Sequence, residues 1–440
     1  MKHLFFSSPL AEKRIEAIVN RGLRIRKKDL AAVQKILEDV RNDGDQAVLS
    51  YTQRFDAPGF EIESLRATPE EFTQAKTRVS RRFLKAIKLA KNQIEAFHRR
   101  QLPSSVIHTE RNGTLLGQLV RPVDRAGVYV PGGAGGKTPL VSSVLMGVIP
   151  AKIAGVKQVV MITPPTSDGS VNPHLLVAAE MAGADAVFKT GSAWGIAALA
   201  FGTQTIPKVD VIVGPGNIYV TAAKKLLAGE VGIDMIAGPS EILILADRTA
   251  NPDFIAADLL SQAEHDVLAS AMLITDSEEI AEYVSSAVEI RLKTLGRKEI
   301  ARKSIEQFGL ILVVPDLNTA FDLANRVAPE HLELMIEDPM ANLSRIRHAG
   351  AVFIGPYSPE SMGDYIAGPN HVLPTAGTAR FASALSVDHF LKKTSLIYYS
   401  REAFLREAES VIQLADIEGL SAHSGSVAVR LDALKKEGYQ

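Results

Sequence analysis

The chain has 440 residues, too many for one small core and enough for two or three domains. Apolar residues make up 46% and charged residues 22%; 49 Lys and Arg against 50 Asp and Glu leave a net charge of −1, so no global field draws the chain to nucleic acid or a membrane. There is no cysteine, which excludes disulfides, thiolate nucleophiles and Cys-based zinc or iron–sulfur sites.

The opening residues, Met1 to Arg14, become charged too soon for a secretory signal. No apolar run approaches the roughly 18 to 20 residues of a spanning helix, so a soluble cytoplasmic protein is expected. The first hundred residues read as helices. Thr68-Pro69-Glu70-Glu71 offers an N-cap, a first-turn proline and a glutamate placed for a capping box. Val79, Phe83, Ile87, Ala90, Ile94 and Phe97 then recur at helical spacing and mark a buried stripe. Lys76 to Arg100 carries nine basic residues against one acid, Glu95. With net charge near zero and no exposed-looking aromatics interleaved, a solvated helix face is expected there rather than a nucleic-acid contact.

From about residue 117 the pattern alternates between strand and helix. Strand-length apolar runs fall at Ala126–Val130, Gln158–Thr163, Asp185–Lys189, Val209–Val213, Glu241–Ala246, Ala271–Thr275, Leu310–Val314 and Ala349–Ile354. Such alternation predicts parallel sheets flanked by helices, and the strand count predicts two sheets. Ligands in these folds sit at the carboxyl ends of strands, so a site is expected in those loops. Gly355 to Thr378, with four Gly and four Pro in 24 residues, is expected to be an ordered site loop.

Two glycine-rich segments suggest nucleotides. Pro131-Gly-Gly-Ala-Gly-Gly-Lys-Thr138 approaches a phosphate-binding P-loop, but proline stands where its first glycine is required and removes an N–H, which argues against ATP hydrolysis. Gly214-Pro-Gly216 ends a strand and leads into a helix predicted over Val220–Leu227. Tyr219 occupies the last glycine position of a dinucleotide fingerprint, so a tight turn and a cofactor contact are both open.

Among the ten histidines, four sit in site-like segments. Gln262 and His265 lie three apart near the end of a helix opened by Asn251 and Pro252. That spacing puts both on one face, for metal ligation or backbone hydrogen bonds. Glu330 and His331 point different ways and are expected not to pair; glutamate suits activation of water and histidine an alcohol proton. Asp364 and His371 lie in the long loop and His423 near the C-terminus. A shell of Gln, His, Asp and His suits zinc or manganese.

Eight segments in order, Gly127–Gly133, Val213–Asn217, Ala237–Glu241, Leu259–His265, Ala328–Leu332, Gly363-Asp364, Asn370–Pro374 and Glu418–His423, resemble the histidinol dehydrogenases. The resemblance implies an α/β fold of two incomplete Rossmann-like domains with parallel sheets, one inserted in the other. In these terms residues 1–23 form a helical arm, 24–130 and 241–383 the larger domain, 131–240 the inserted one and 384–440 a C-terminal dimerisation segment. It implies oxidation of L-histidinol to L-histidine, the last step of histidine biosynthesis, through an aldehyde that is not released. Two NAD and one zinc per subunit serve a homodimer whose active site is shared between subunits.

By the same resemblance the metal falls to Gln262, His265, Asp364 and a neighbouring His423, and catalysis to Glu330 and His331. Substrate contact falls to Ser240, Gln262, His265, His331, Asp364, His371, Glu418 and His423, and NAD to Tyr129 and Asn217. Trp194 stands where the family often has a glutamine that contacts NAD; its ring either stacks on the cofactor, slightly favoured, or fills space against the sheet. A related dehydrogenase of another small amino or sulfonated alcohol would show the same zinc and NAD residues. A metal-dependent hydrolase is expected less, and a non-catalytic paralogue would have lost part of this set.

Overall fold

The computed structural model describes residues 1–20, 25–110, 113–132 and 138–438; positions 133–137 of the glycine-rich segment lie outside the described residues. The chain begins β1 (Lys2–Phe5), α1 (Pro9–Val19), α2 (Lys27–Asp43), α3 (Asp45–Phe55), α4 (Pro69–Arg78), α5 (Arg81–Arg99), β2 (Val106–Glu110) and β3 (Thr114–Pro122). An alternating stretch follows: β4 (Arg125–Tyr129), α6 (Val141–Ala154), β5 (Gln158–Thr163), α7 (Pro173–Ala182), β6 (Ala186–Lys189), α8 (Ser192–Phe201), β7 (Val211–Val213), α9 (Ile218–Leu227) and β8 (Gly232–Ile233). Then come β9 (Glu241–Ala246), α10 (Pro252–Ala263), β10 (Ser270–Thr275), α11 (Glu278–Leu292), α12 (Lys298–Phe308), β11 (Leu310–Val313) and α13 (Leu317–Val327). The last elements are β12 (His331–Met335), β13 (Ala351–Ile354), α14 (Glu360–Tyr365), β14 (Leu391–Tyr398), α15 (Arg401–Ile417) and α16 (Ser421–Lys436).

Two compact units divide these elements. The first joins Met1–Gln101 to Val123–Phe390, and the second joins Leu102–Pro122 to Leu391–Gln440. In the first, a six-stranded sheet runs β1-β11-β10-β9-β12-β13 and a five-stranded sheet runs β6-β5-β4-β7-β8. Every pairing in both sheets is parallel. The expected α/β class, with two Rossmann-like parallel sheets, is what forms. The second unit holds the antiparallel sheet β14-β3-β2 and the helix pair α15 and α16.

Burial on both faces explains the unbroken apolar strands. Along β9, Ile242, Ile244 and Ala246 pack toward α10, α11 and α12. Leu243 and Leu245 turn the other way, onto Ala11 and Ile15 of α1 and Phe321 of α13. The five-stranded sheet is covered by α8 and α9, and also by α2 and α3, whose Val33, Leu37 and Val48 join its core.

The capping box forms as expected: Thr68 Oγ1 accepts the Glu71 N–H, and Glu71 accepts the Thr68 N–H. Ser80 then caps a new helix, so the basic stretch is split between α4 and α5, and its charges ring a buried stripe of Ile87, Ala90 and Ile94. The all-helical expectation for the first hundred residues fails at β1, a four-residue edge strand held by its register against β11 rather than by any apolar run. The long loop is not wholly irregular either, because Pro359 precedes a short helix, α14.

Trp194 overturns the cofactor expectation. It is buried, stacks at 5.7 Å on Tyr51 and 5.5 Å on Phe55, and its indole N–H reaches Thr52 Oγ1 at 3.2 Å. The ring joins α3 to α8 and serves the core.

Beside this stack, Asp56 Oδ2 is buried with no hydrogen-bond partner among the described residues, and burial pushes the carboxyl up to about 6. The folded chain therefore holds this proton more tightly than the unfolded chain. Stability contributed by the group is full below the unfolded value of 3.8 and falls as pH rises toward 6. Asp56→Asn should leave the thermal midpoint unchanged at pH 4 and raise it by about 2–4 °C at pH 8. A rise of the same size at both pH values in parallel melts would contradict the assignment.

Candidate active site

The site gathers where the two parallel sheets present opposite ends. From the five-stranded sheet it takes the turn after β7, at a carboxyl end as expected. From the six-stranded sheet it takes the starts of β9 and β12, which are amino ends. The carboxyl-end expectation therefore holds for one sheet and fails for the other, because the amino ends of β9 and β12 leave main-chain groups available to side chains.

The main chain of Glu241 shows this directly. The Glu241 N–H donates to Glu330 Oε2 at 2.8 Å, and the Glu241 carbonyl accepts from His331 Nδ1 at 2.8 Å. Neighbours in sequence thus grip two groups of one residue on the adjacent strand. They do not hydrogen-bond each other, Nδ1 and Oε2 being 3.7 Å apart. Since a carbonyl only accepts, the His331 proton sits on Nδ1, and Nε2 is buried without a hydrogen bond among the described residues, 3.9 Å from Glu360 Oε1. Burial lowers the His331 pKa, with Asp364 and the Glu241 carbonyl opposing. Burial raises that of Glu330 well above the usual carboxylate range, although the Glu241 N–H pulls it down. Ala328, just upstream, holds a left-handed φ of 51° that costs a residue with a Cβ about 1–2 kcal/mol. The turn delivering this pair is held by its surroundings.

A second cluster lies on α14 and the end of α10. Ligand-capable atoms of His265, Glu360 and Asp364 lie within 4.8 Å of one another. Gln262 occupies the last turn of α10, fully buried, with neither amide atom partnered among the described residues. His265 falls beyond the helix end, which is at Ala263, and is exposed, so the expected shared helical face is replaced by a turn. Glu360 Oε2 accepts from Ser261 Oγ at 2.9 Å, and its N–H is capped by Glu333 Oε1 at 2.9 Å. Burial, then the charge of Asp364, pushes Glu360 up to about 7. Glu333 is raised as well, by burial and then by Asp258. An orphaned amide oxygen, an imidazole and a crowd of destabilised carboxyls are what a divalent cation would relieve, so the donor set fits a metal of zinc type.

His371 joins the two clusters. Its Nδ1 donates to the Asp364 carbonyl at 3.0 Å, and its ring lines two cavities. One, of about 570 Å³, is bounded by Gly216, Asn217, Ser240, His265 and Glu330. The other, of about 650 Å³, is bounded by His331, Asp364, Phe97, Phe353 and Tyr357.

The turn after β7 is rigid. Lys224, on α9, donates to the Gly214 carbonyl at 2.5 Å and to Asp234 Oδ1 at 2.6 Å, while Asp234 Oδ2 accepts the Gly214 N–H at 2.8 Å. Both side chains are almost completely buried. A Cβ on Gly214 would stand 2.1 Å from the Tyr129 carbonyl oxygen, so only glycine fits. Asn217 accepts the Tyr219 and Val220 N–H groups as the N-cap of α9, which aims that helix end at the smaller cavity.

Of the residues expected from sequence, Ser240, His265, Glu330, His331, Asp364, His371 and Asn217 line these cavities. The Tyr129 ring does not: it is buried in the core of the five-stranded sheet and bonded to the Ser192 backbone. Glu418 and His423 belong to the second unit, at the α15 C-cap and in the first turn of α16, both exposed. Glu360 was missed, although its i, i+4 spacing from Asp364 after a proline was a visible signal.

A family model described as histidinol dehydrogenase matches residues 20–431. A histidinol dehydrogenase of Desulfotalea psychrophila is 57% identical over 401 residues, spanning 91% of this chain and 92% of that protein. One from Carboxydothermus hydrogenoformans is 52% identical, with 91% and 93% spanned. The crystal structure of histidinol dehydrogenase from Elizabethkingia anophelis superposes with a TM-score of 0.92 at 39% identity, covering 99% of both chains.

The Lys224–Asp234 pair yields a two-step prediction. Lys224→Met strands a buried carboxylate and should destabilise by about 3–5 kcal/mol. Adding Asp234→Asn removes that charge and should recover most of the thermal midpoint. The Gly214 carbonyl still lacks its donor, so hydrogen exchange at the Gly216 and Asn217 amides should stay about tenfold faster than in the unmodified chain. Exchange as slow as in the unmodified chain would show that the pair does not set the turn.

Proposed function

The chain belongs to the histidinol dehydrogenase family, and on that premise we propose that it oxidises L-histidinol to L-histidine through bound L-histidinal. Two NAD are consumed, one zinc ion serves each subunit, and the setting is cytoplasmic. The observation that carries this is the pair Glu330 and His331 fixed on the main chain of Glu241, with Nε2 of His331 making no hydrogen bond among the described residues. Gln262, His265 and Asp364 would hold the metal with His423 of the partner subunit, and Glu360 stands beside them. When bound, zinc would orient the substrate's imidazole and amine, and NAD would accept the hydride of each oxidation.

The chain's own groups divide the proton work. His331 Nε2, unprotonated because Nδ1 carries the proton, takes the carbinol hydroxyl proton in the first oxidation. Glu330, whose raised pKa makes it a stronger base than an exposed carboxylate, draws a proton from the water that hydrates the aldehyde. His331 then takes the hydroxyl proton of the hydrate. Ser240 and His371 border the substrate space, and Asn217 borders the cofactor side.

The shared active site of a homodimer is supported by the second unit. Its helices α15 and α16 and the turn between them expose Val411, Leu414, Ile417, Leu420 and Val429, apolar side chains suited to burial against another copy. No described helix is long and apolar enough to cross a membrane. A different amino alcohol as substrate is not favoured, since curated relatives of about half identity or more carry the histidinol dehydrogenase description.

The test mixes protein with L-histidinol and excess NAD and counts NADH per histidine. About two, lost on chelation and restored by zinc, is expected; one would mean that the aldehyde escapes and would defeat the four-electron reading. Glu330→Gln should slow the aldehyde half-reaction by about a hundredfold while sparing alcohol oxidation. Equal losses in single-turnover assays of both halves would refute the division of labour.

A further inference from the structure

Helix α6 contains a proline, Pro150, four residues from its C-terminal end. Proline has no N–H, so the carbonyl four residues back, that of Met146, loses its helical partner. Met146 is fully buried, so water cannot supply the missing donor. The donor present is Asn370: its Nδ2 reaches the Met146 carbonyl at 2.8 Å. Asn370 Oδ1 accepts the Val372 N–H at 3.0 Å, so one buried amide holds the chain on both sides of His371.

We propose that Asn370 is a positioning residue, latching the His371 loop onto the carbonyl that Pro150 leaves free in α6. This rests on the reading of His371 as a residue of the substrate site. The ring direction follows from the latch: His371 Nδ1 bonds the Asp364 carbonyl, so both the imidazole and the end of α14 are registered against α6. That helix is in turn seated on β4, where Gly147 lies so close to Val128 that a Cβ would stand 2.4 Å from its Cγ1. The latch thereby ties the catalytic loop to the sheet that carries the cofactor-side turn. Only a carboxamide serves, because one end must donate and the other accept. An aspartate would set an oxygen against the carbonyl, and a serine is too short to span both groups.

The test uses the full chain and three variants: Asn370→Ala, Asn370→Asp, and Asn370→Ala combined with Pro150→Ala. Each is followed by thermal unfolding, by steady-state histidinol oxidation, and by NMR of the His371 ring in histidine-labelled protein. Asn370→Ala should lower kcat/KM for histidinol by about tenfold or more, with KM for NAD within about twofold, and should shift the His371 ring signals. Asn370→Asp should do no better. In the double variant residue 150 regains an N–H that serves Met146, so the thermal midpoint should recover while kcat/KM and the ring signals do not. Recovery of activity together with stability would overturn the proposal, as would unchanged ring signals in Asn370→Ala. If Asn370→Ala does not fold, the double variant carries the reading. If the unmodified chain fails to oxidise histidinol, the functional reading falls, and the ring signals still decide the latch.

Discussion

The site depends on the main chain of one residue. The main chain of Glu241, at the amino end of β9, gives its N–H to Glu330 and its carbonyl to His331. These bonds fix which nitrogen of His331 carries the proton, and so leave the other free as a base. They also place an acid and an imidazole from adjacent residues for two different protons.

Around that residue, the two sheets supply different things. The five-stranded sheet offers a carboxyl end, where Gly214 is pinned through both its N–H and its carbonyl and a helix N-terminus opens toward the smaller cavity. The six-stranded sheet offers amino ends, near which carboxyls crowd with no Lys or Arg paired to Glu330, Glu333 or Glu360 among the described residues. Burial pushes Glu330, Glu333 and Glu360 upward, a stored electrostatic demand that a divalent cation would answer. The unpartnered amide of Gln262 adds to that demand. Substrate chemistry at the meeting of these ends needs neither unit of the fold to be unusual.

Much of this was legible from the residues. Apolar runs located the inner strands other than β12, because strands buried on both faces are apolar throughout; in β12, His331 and Glu333 interrupt the run and hid it. The capping signals at Thr68 and Asn251 were local chemistry and formed as written. The edge strand β1 and the exposed strand β2 were not legible, since their pairing partners, not their composition, make them strands. Glu241 was not legible as the hub because it acts through its main chain, which every residue has. Asn370 was seen only as part of a motif; its role needs the proline in α6, 220 positions earlier in the chain. Trp194 misled because an aromatic at a cofactor-contact position looks like a stacking platform, whereas two neighbouring rings on α3 had already claimed it.

The protonation of His331 is the most direct point of attack. Nitrogen-15 NMR of the labelled chain at neutral pH should show the His331 ring neutral, with the proton on Nδ1 and Nε2 bare. A proton on Nε2, or a charged ring, would mean that the Glu241 carbonyl does not hold this side chain as described, and the account of the base would fall with it.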